Sequence, residues 1–284
     1  MNILISGLNN YVARRCTSLM ADADFHLFAI TRNKKLYESH MFEPIRAAIF
    51  ELNLMLGGQR LFDLPKMDAA LYFTQVSALD DQINLRMELL CLRNFIQVVQ
   101  ELHCNRIIYV ARIMDRRDIQ PIVDLLEEFK INYTVILKHA VLGKDCLVYK
   151  VSLQISERNL FCYTSAHKRK LMQPLGIHDF IRWLKSLLAI PTLQSRIMEV
   201  GGEERISAMD LHQLYRKLKQ KLQQQRLIAL PDWLFKLVYR RFIQDHCEIG
   251  EYFHLIKANK PVENHWKSQM PFAFSPIHDI LLAE

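Results

Sequence analysis

Residues 6–14 read Ser-Gly-Leu-Asn-Asn-Tyr-Val-Ala-Arg and follow directly on the apolar run Asn2 to Ile5. A strand that ends in such a turn and opens a helix presents backbone N–H groups at the helix N-terminus, where phosphates and other anions are stabilised. Turns of this kind use glycine for the bend, for close approach of the backbone to the anion, and for packing of the helix on the strand. Here Gly7 keeps the first of these positions, while Asn10 and Ala13 stand at the other two. Asn adopts left-handed backbone at modest cost, so the bend is expected to form. The Asn10 side chain would then fill part of the space that a phosphate needs, and the amides of Tyr11 and Val12 would still face outward. Gly7, Asn9, Asn10, Tyr11 and Val12 are the candidate phosphate-side residues. A turn that holds a ligand and a turn that holds none are both consistent with them.

A second cluster is Thr31-Arg32-Asn33-Lys34-Lys35, at the tip of the next apolar segment. A carboxylate at that tip would bind ribose hydroxyls, and the cluster contains none. Its three cations suit a 2′-phosphate, with Arg32 as a planar clamp and Asn33 beside it. A solvated basic loop is the alternative.

The remaining chemistry-bearing residues are less organised. The sequence contains no HExxH, GxSxG or P-loop pattern. Lys138-His139 follow a strand end, where a histidine could donate a proton or serve as an ordinary loop residue. His178-Asp179 open a helix, and capping and the helix dipole explain that carboxylate. His246-Cys247 and His254 lack a convincing third ligand, so no metal is expected. Two basic runs, 167–170 and 216–221, would need one common face to bind nucleic acid. The second of them surrounds an apolar stripe of Leu211, Leu214, Leu218 and Leu222 and reads as a solvated helix face.

Composition narrows the classes. The 284 residues are half apolar and 24% charged, with a net charge of +7, which fits a globular chain that tolerates anionic ligands. The longest apolar runs fall short of a membrane span, and the first residues lack the pattern of a secretory leader. The six cysteines are scattered through apolar runs without CxxC spacing. This predicts buried free thiols and a reducing, cytoplasmic setting. Only eight glycines occur, against about 20 for an average share of roughly 7%.

The elements that must position these residues alternate through the first half. Strands are expected at 2–6, 25–31, 47–53, 69–75, 106–111 and 133–142. Helices are expected at 11–21, 80–102 and 117–130. The 80–102 helix carries an apolar set of Ile83, Met87, Leu90, Cys91, Phe95, Val98, Val99 and Leu102. Alternation of this kind implies parallel pairing with helices on both faces. In the second half, strands are expected at 161–164 and 196–200 and helices at 177–188, 207–225 and 231–243. Ser207 caps the second of these helices, and Pro231 lies near the first turn of the third. The tail, with Pro261, Pro271 and Pro276, reads as loop. The fold class is α/β, a doubly wound Rossmann-like parallel sheet over residues 1–150. A smaller, mostly helical substrate-side region over 151–284 partly returns to the sheet.

The order of these segments resembles the extended and atypical short-chain dehydrogenase/reductase superfamily, in particular its NmrA-like, sugar-epimerase-like members. The opening Asn2 to Arg14 is similar to that family's first strand and TGATGYIGR-like turn. Phe28 to Asn33 matches the end of its second strand, and Phe50-Glu-Leu-Asn-Leu sits where it carries Gly-Asp-Leu. Arg106 to Ala111 matches the strand that normally ends in a catalytic serine. Met172 to Phe180 and Met198 to Ser207 resemble segments on its substrate side. The resemblance implies a nucleotide ligand, NADP(H) in view of Arg32, with Asn53 in the place of an adenine-contacting Asp.

The same resemblance exposes a gap. The superfamily uses a Ser or Thr at the end of the fifth strand and a YxxxK pair on the following helix, where lysine tunes the tyrosine for acid–base work. Here the strand ends in Ala111, and residues 112–130 hold no tyrosine and a single lysine, Lys130. Two readings follow. One is an NADP(H)-dependent oxidoreductase that transfers hydride without the pair. The other is a non-catalytic ligand-sensing or protein-binding regulatory protein that has lost cofactor binding. A homo-oligomer or a protein partner fits either reading, and nucleic-acid binding is the weakest of the three.

Overall fold

A computed structural model describes residues 1–39, 41, 44–58, 64–76, 78–156, 160–190, 193, 196–219, 225–235, 237 and 261–283. The chain divides into two compact units. The first comprises residues 1–137, 181–198 and 268–270, and the second comprises 138–180, 199–267 and 271–284.

The first unit follows the alternation expected from the sequence. Its elements begin with β1 (Asn2–Ser6), α1 (Tyr11–Leu19), β2 (His26–Thr31), α2 (Lys34–Ser39), β3 (Ala48–Glu51) and β4 (Ala69–Phe73). They continue with α3 (Gln82–Glu101), β5 (Arg106–Arg112), α4 (Gln120–Glu128) and β6 (Asn132–Lys138). With Arg196–Val200 as an edge, the strands form one seven-stranded sheet in the order β3-β2-β1-β4-β5-β6-edge. The β3–β2, β2–β1, β1–β4 and β4–β5 pairs are all parallel. The order reverses between β1 and β4, and in open α/β sheets such a switch point is where a crevice opens at the carboxyl ends of the strands.

The central strands are buried along nearly their whole length. Every residue of β4 is buried, and Ile3 to Ile5 are fully buried. Residues of this kind on both faces are what a sheet covered on two sides requires. Tyr72 stacks on Tyr109 at 5.5 Å and meets Phe95 edge-on at 5.1 Å, the preferred geometries for ring pairs.

Four local expectations need correction. The third strand is shorter than 47–53, because the Asn53 side chain accepts from the Met55 amide and turns the chain. The expected strand over 133–142 breaks after Lys138 and resumes only as Val141–Leu142. The helix expected over 117–130 begins at Gln120, with Pro121 in its first turn; a 3-10 turn over Ile113–Arg117 precedes it. The fourth correction concerns the first half of α3; Cys91, Phe95, Val98, Val99 and Leu102 are buried as the apolar set requires. Ile83, Met87 and Leu90 are exposed, whereas Glu88 is fully buried. The helix starts from Asp81, whose carboxylate accepts from the amides of Ile83 and Asn84, an N-cap arrangement that fixes its entry.

In the second unit, Leu147–Ser156 forms α5 and Ala208–Leu218 forms α8, and these two meet through an edge-on Tyr149–Tyr215 contact at 5.3 Å. Between them lie α6 (Ser165–Arg169) and α7 (Ile177–Ala189), the latter continuing into the first unit. Ser207 caps α8 as expected and accepts from the Asp210 amide at 3.1 Å. The helix ends at Leu218, short of the expected 225. The tail departs from loop: Ile277–Leu282 is helical, with Ile277 and Ile280 buried. Pro276 begins it, since proline is tolerated where no helical N–H is needed. Of the helix expected over 231–243, residues 236 and 238–243 lie outside the described residues, as do His246, Cys247 and His254. The five described cysteines are all buried.

Candidate nucleotide cleft

A cleft of about 470 Å³ lies over the carboxyl ends of β1, β2 and β3. It is built by the turn after β1, the segment after β2, the segment after β3 and Gln75-Val76 after β4. Gly7, Asn9, Arg32, Asn33 and Asn53 all line it, so five of the residues singled out from the sequence converge there.

Gly7 makes the turn possible. Its φ is +85°, and a Cβ placed on it would lie 2.2 Å from the carbonyl oxygen of Phe73. Only glycine meets both conditions. The Asn10 amide closes the bend by donating to the Gly7 carbonyl at 2.8 Å.

Asn10 itself behaves differently from the sequence expectation. Its backbone is extended, at φ −79° and ψ 135°, not left-handed. It is the N-cap of α1, and its Oδ1 accepts from the Val12 amide at 2.9 Å. This is the usual bond from an N-cap side chain to the second helical residue. The Val12 amide, expected to face an anion, is therefore engaged within the chain. Asn10, Tyr11 and Val12 do not line the cleft, and Val12 is buried.

Asn33 and Asn53 are held by local bonds. Asn33 Oδ1 accepts from the Leu36 amide at 2.9 Å, and Asn53 Oδ1 accepts from the Met55 amide at 3.1 Å. The first is the bond of an N-cap side chain to the third residue of α2, and the second closes an Asx turn after β3.

Sequence reasoning missed Arg14, Gln75 and Val76. Arg14 lines the cleft, and its Nη1 donates to the Asn9 carbonyl at 3.2 Å. With Arg32 it makes two cations, and no Asp or Glu stands among the lining residues. Gln75 follows β4 at the switch point, a position that its strand boundary could have signalled. Its Nε2 donates to Tyr72 Oη at 3.1 Å and to Ser6 Oγ at 3.4 Å. Its carbonyl accepts from Asn9 Nδ2 at 2.7 Å.

Below Gln75 lies the buried Glu88. The Gln75 and Val76 amides donate to its Oε2 at 3.1 and 3.3 Å, and Tyr109 donates to Oε1 at 2.9 Å. Burial pushes this carboxyl up to about 7, against the three donors, which favour its ionised form.

The position where a catalytic serine would stand is Ala111, which is buried. Next to it, Arg112 is paired with Asp115 through Nη2 at 2.8 Å and Nε at 2.9 Å. His139, on the second unit, is buried and donates its amide to Val200. Among the described residues no group of His, Cys, Asp and Glu is placed to hold a metal, and no helix is long and apolar enough to cross a membrane.

No family model matches the sequence, and no curated protein matches it. Solved structures do match in fold. A nucleoside-diphosphate-sugar epimerase from Staphylococcus aureus aligns with a TM-score of 0.65 at 11% identity, over 99% of this chain and 99% of that one. UDP-N-acetylglucosamine 4-epimerase from Bacillus cereus aligns at 0.67 and 8% identity, over 100% and 99%. UDP-glucuronic acid 4-epimerase from Bacillus cereus, in complex with NAD, aligns at 0.61 and 12% identity, over 81% and 87%. The chain shares the Rossmann-like α/β fold of these solved structures.

Proposed function

We propose that the protein binds NADP(H) by its phosphorylated adenosine end, in the cleft over β1, β2 and β3. The observation that carries this reading is the charge of the cleft: Arg14 and Arg32 line it with no acidic residue among its walls. An NAD site would want a carboxylate at the tip of β2 aimed at the ribose hydroxyls; Glu51, paired with Thr31 at that tip, instead accepts from the Lys34 amide and is not among the lining residues. A planar guanidinium suits a 2′-phosphate instead. Asn33 and Asn53 line the same walls, with Leu52 and Leu54 as apolar surface for a base. A structural neighbour solved with NAD supports a nicotinamide cofactor for this fold.

When bound, the nicotinamide supplies a hydride that can be given to a carbonyl or taken from an alcohol. This chain would have to assist that step without a Tyr–Lys pair. A second reading is a non-catalytic protein that senses a ligand in the cleft or holds a protein partner. The residues after β5 favour it, since Ala111 offers no hydroxyl and Arg112 is engaged by Asp115.

Calorimetric titration with NADPH and NADH at moderate salt tests the first claim. NADPH is expected to bind at least tenfold more tightly, and equal affinities refute the 2′-phosphate assignment. Consumption of NADPH with any carbonyl substrate decides between the two readings in favour of an enzyme.

A further inference from the structure

The cleft stops at the switch point. A dinucleotide lies across the crevice where the strand order reverses, with one nucleotide on each side. Here that crevice separates β1 from β4, and two side chains bridge it. Asn9 Nδ2, on the β1 side, donates to the Gln75 carbonyl on the β4 side at 2.7 Å. Gln75 Nε2 reaches back to Ser6 Oγ at 3.4 Å. The Gln75 backbone cannot readily yield, because its amide is anchored on the buried Glu88.

Two independent observations point the same way. The cleft draws its lining from residues 6–9, 14, 30–33, 36–37, 52–55 and 75–76, Met87 and Cys91, and, among the described residues of the first unit, from none that follows β5. The Val12 amide, which would serve a diphosphate at the helix N-terminus, is taken by Asn10.

Resting on the cleft reading above, we propose that this site is specific for a mononucleotide: an adenosine carrying a 2′-phosphate and a 5′-phosphate, with the Asn9–Gln75 clasp barring passage of the second nucleotide. NADP(H) then binds only through its adenosine half. The nicotinamide ribonucleotide adds nothing to its affinity, and the site acts as a sensor of 2′-phosphorylated adenylates.

Calorimetric titration of the full chain with adenosine 2′,5′-bisphosphate and with NADP⁺ tests this. The two dissociation constants are expected to agree within threefold. Asn9→Ala is expected to tighten NADP⁺ at least tenfold over the bisphosphate. Asn9→Ser, too short to span the crevice, serves the same purpose if the alanine variant does not fold. NADP⁺ binding tenfold more tightly than the bisphosphate in the unsubstituted protein overturns the clasp and leaves the cleft reading standing. Equal binding in both proteins, with no gain on substitution, overturns the role of Asn9. No heat and no thermal stabilisation with either ligand overturns the cleft reading and this inference with it.

Discussion

The Tyr109 hydroxyl donates to Glu88 Oε1 at 2.9 Å beneath the sheet edge that carries the cleft. Both residues are fully buried, so a carboxylate sits in the core of the first unit, held by a phenol and by the two backbone amides that shape the cleft wall. Burying a charge is costly unless it is well hydrogen-bonded, and here burial outweighs the bonds, raising the carboxyl from 4.5 to about 7.

The share of stability that Glu88 carries is therefore expected to fall between pH 4.5 and 7, while His167 and His212, lowered by burial to about 4 and about 3, act in the opposite direction and are common to natural protein and variant. The folded protein binds the Glu88 proton more tightly than the unfolded chain does. The contribution is full below about pH 4.5 and is lost as the pH rises through about 7. The two pKa values differ by an amount equivalent to about 3 kcal/mol. Urea unfolding of the natural protein and of Glu88→Gln at pH 5 and pH 8 measures it. The natural protein should lose more stability than the variant between those pH values, by an amount of that order. Parallel pH profiles would place the titration elsewhere.

Gly7→Ala is expected to destabilise by about 2–4 kcal/mol, because left-handed strain adds to a steric clash with backbone. The added Cβ meets the Phe73 carbonyl oxygen at 2.2 Å, and a strand cannot move aside as a side chain can. Guanidinium unfolding measures the loss. A change within experimental error would mean that the turn has another accessible conformation.

Much of this architecture was legible in the sequence, and the reason is specific. The apolar runs of β1, β4 and β5 are continuous because both faces of the sheet are covered, and Gly7 marks the end of the first. From these the alternation of strands and helices and the place of the turn follow, while the order of the strands is seen only in the sheet itself. Side-chain direction was less legible. Glu88 looks like a surface residue of α3, yet it is buried while Met87 and Leu90 are exposed. The rotation of the helix is set by Tyr109 and the loop after β4, which are distant in sequence. Asn10 was read as a strained turn residue because it replaces a glycine, whereas its side chain makes it a better N-cap than glycine. Residues 150–156 alternate polar and apolar with the period of a strand, yet Leu147–Ser156 is helical, and that helix was missed.

Arg32→Glu is expected to weaken NADPH binding at least tenfold while leaving NADH binding within threefold. A tenfold change corresponds to about 1.4 kcal/mol, the lower end for a hydrogen bond to a charged group. The reversal of charge in a cleft free of acids would also repel the 2′-phosphate. Parallel losses for both cofactors would show that Arg32 supports the cleft and does not read the phosphate.

Arg106 offers a test remote from the cleft. It opens β5, and its guanidinium donates to the carbonyls of Leu188, Leu187 and Ile190 at 2.7, 2.9 and 2.9 Å. The last carbonyls of a helix have no partner within it, and a cation there also meets the negative end of the dipole. The side chain is largely buried, so its loss removes the donor that serves the Leu188 and Ile190 carbonyls, whereas Leu187 still accepts from the Ile190 amide at 3.1 Å. Arg106→Leu is expected to cost about 2–4 kcal/mol, from charged hydrogen bonds lost and acceptors orphaned. Arg106→Lys, which keeps the charge but cannot match the planar fork, should recover about half of that. Denaturant unfolding of both variants measures the difference. The lysine variant matching the leucine variant would show that geometry outweighs charge at this cap. Neither variant losing stability would mean that the end of α7 is capped by other means.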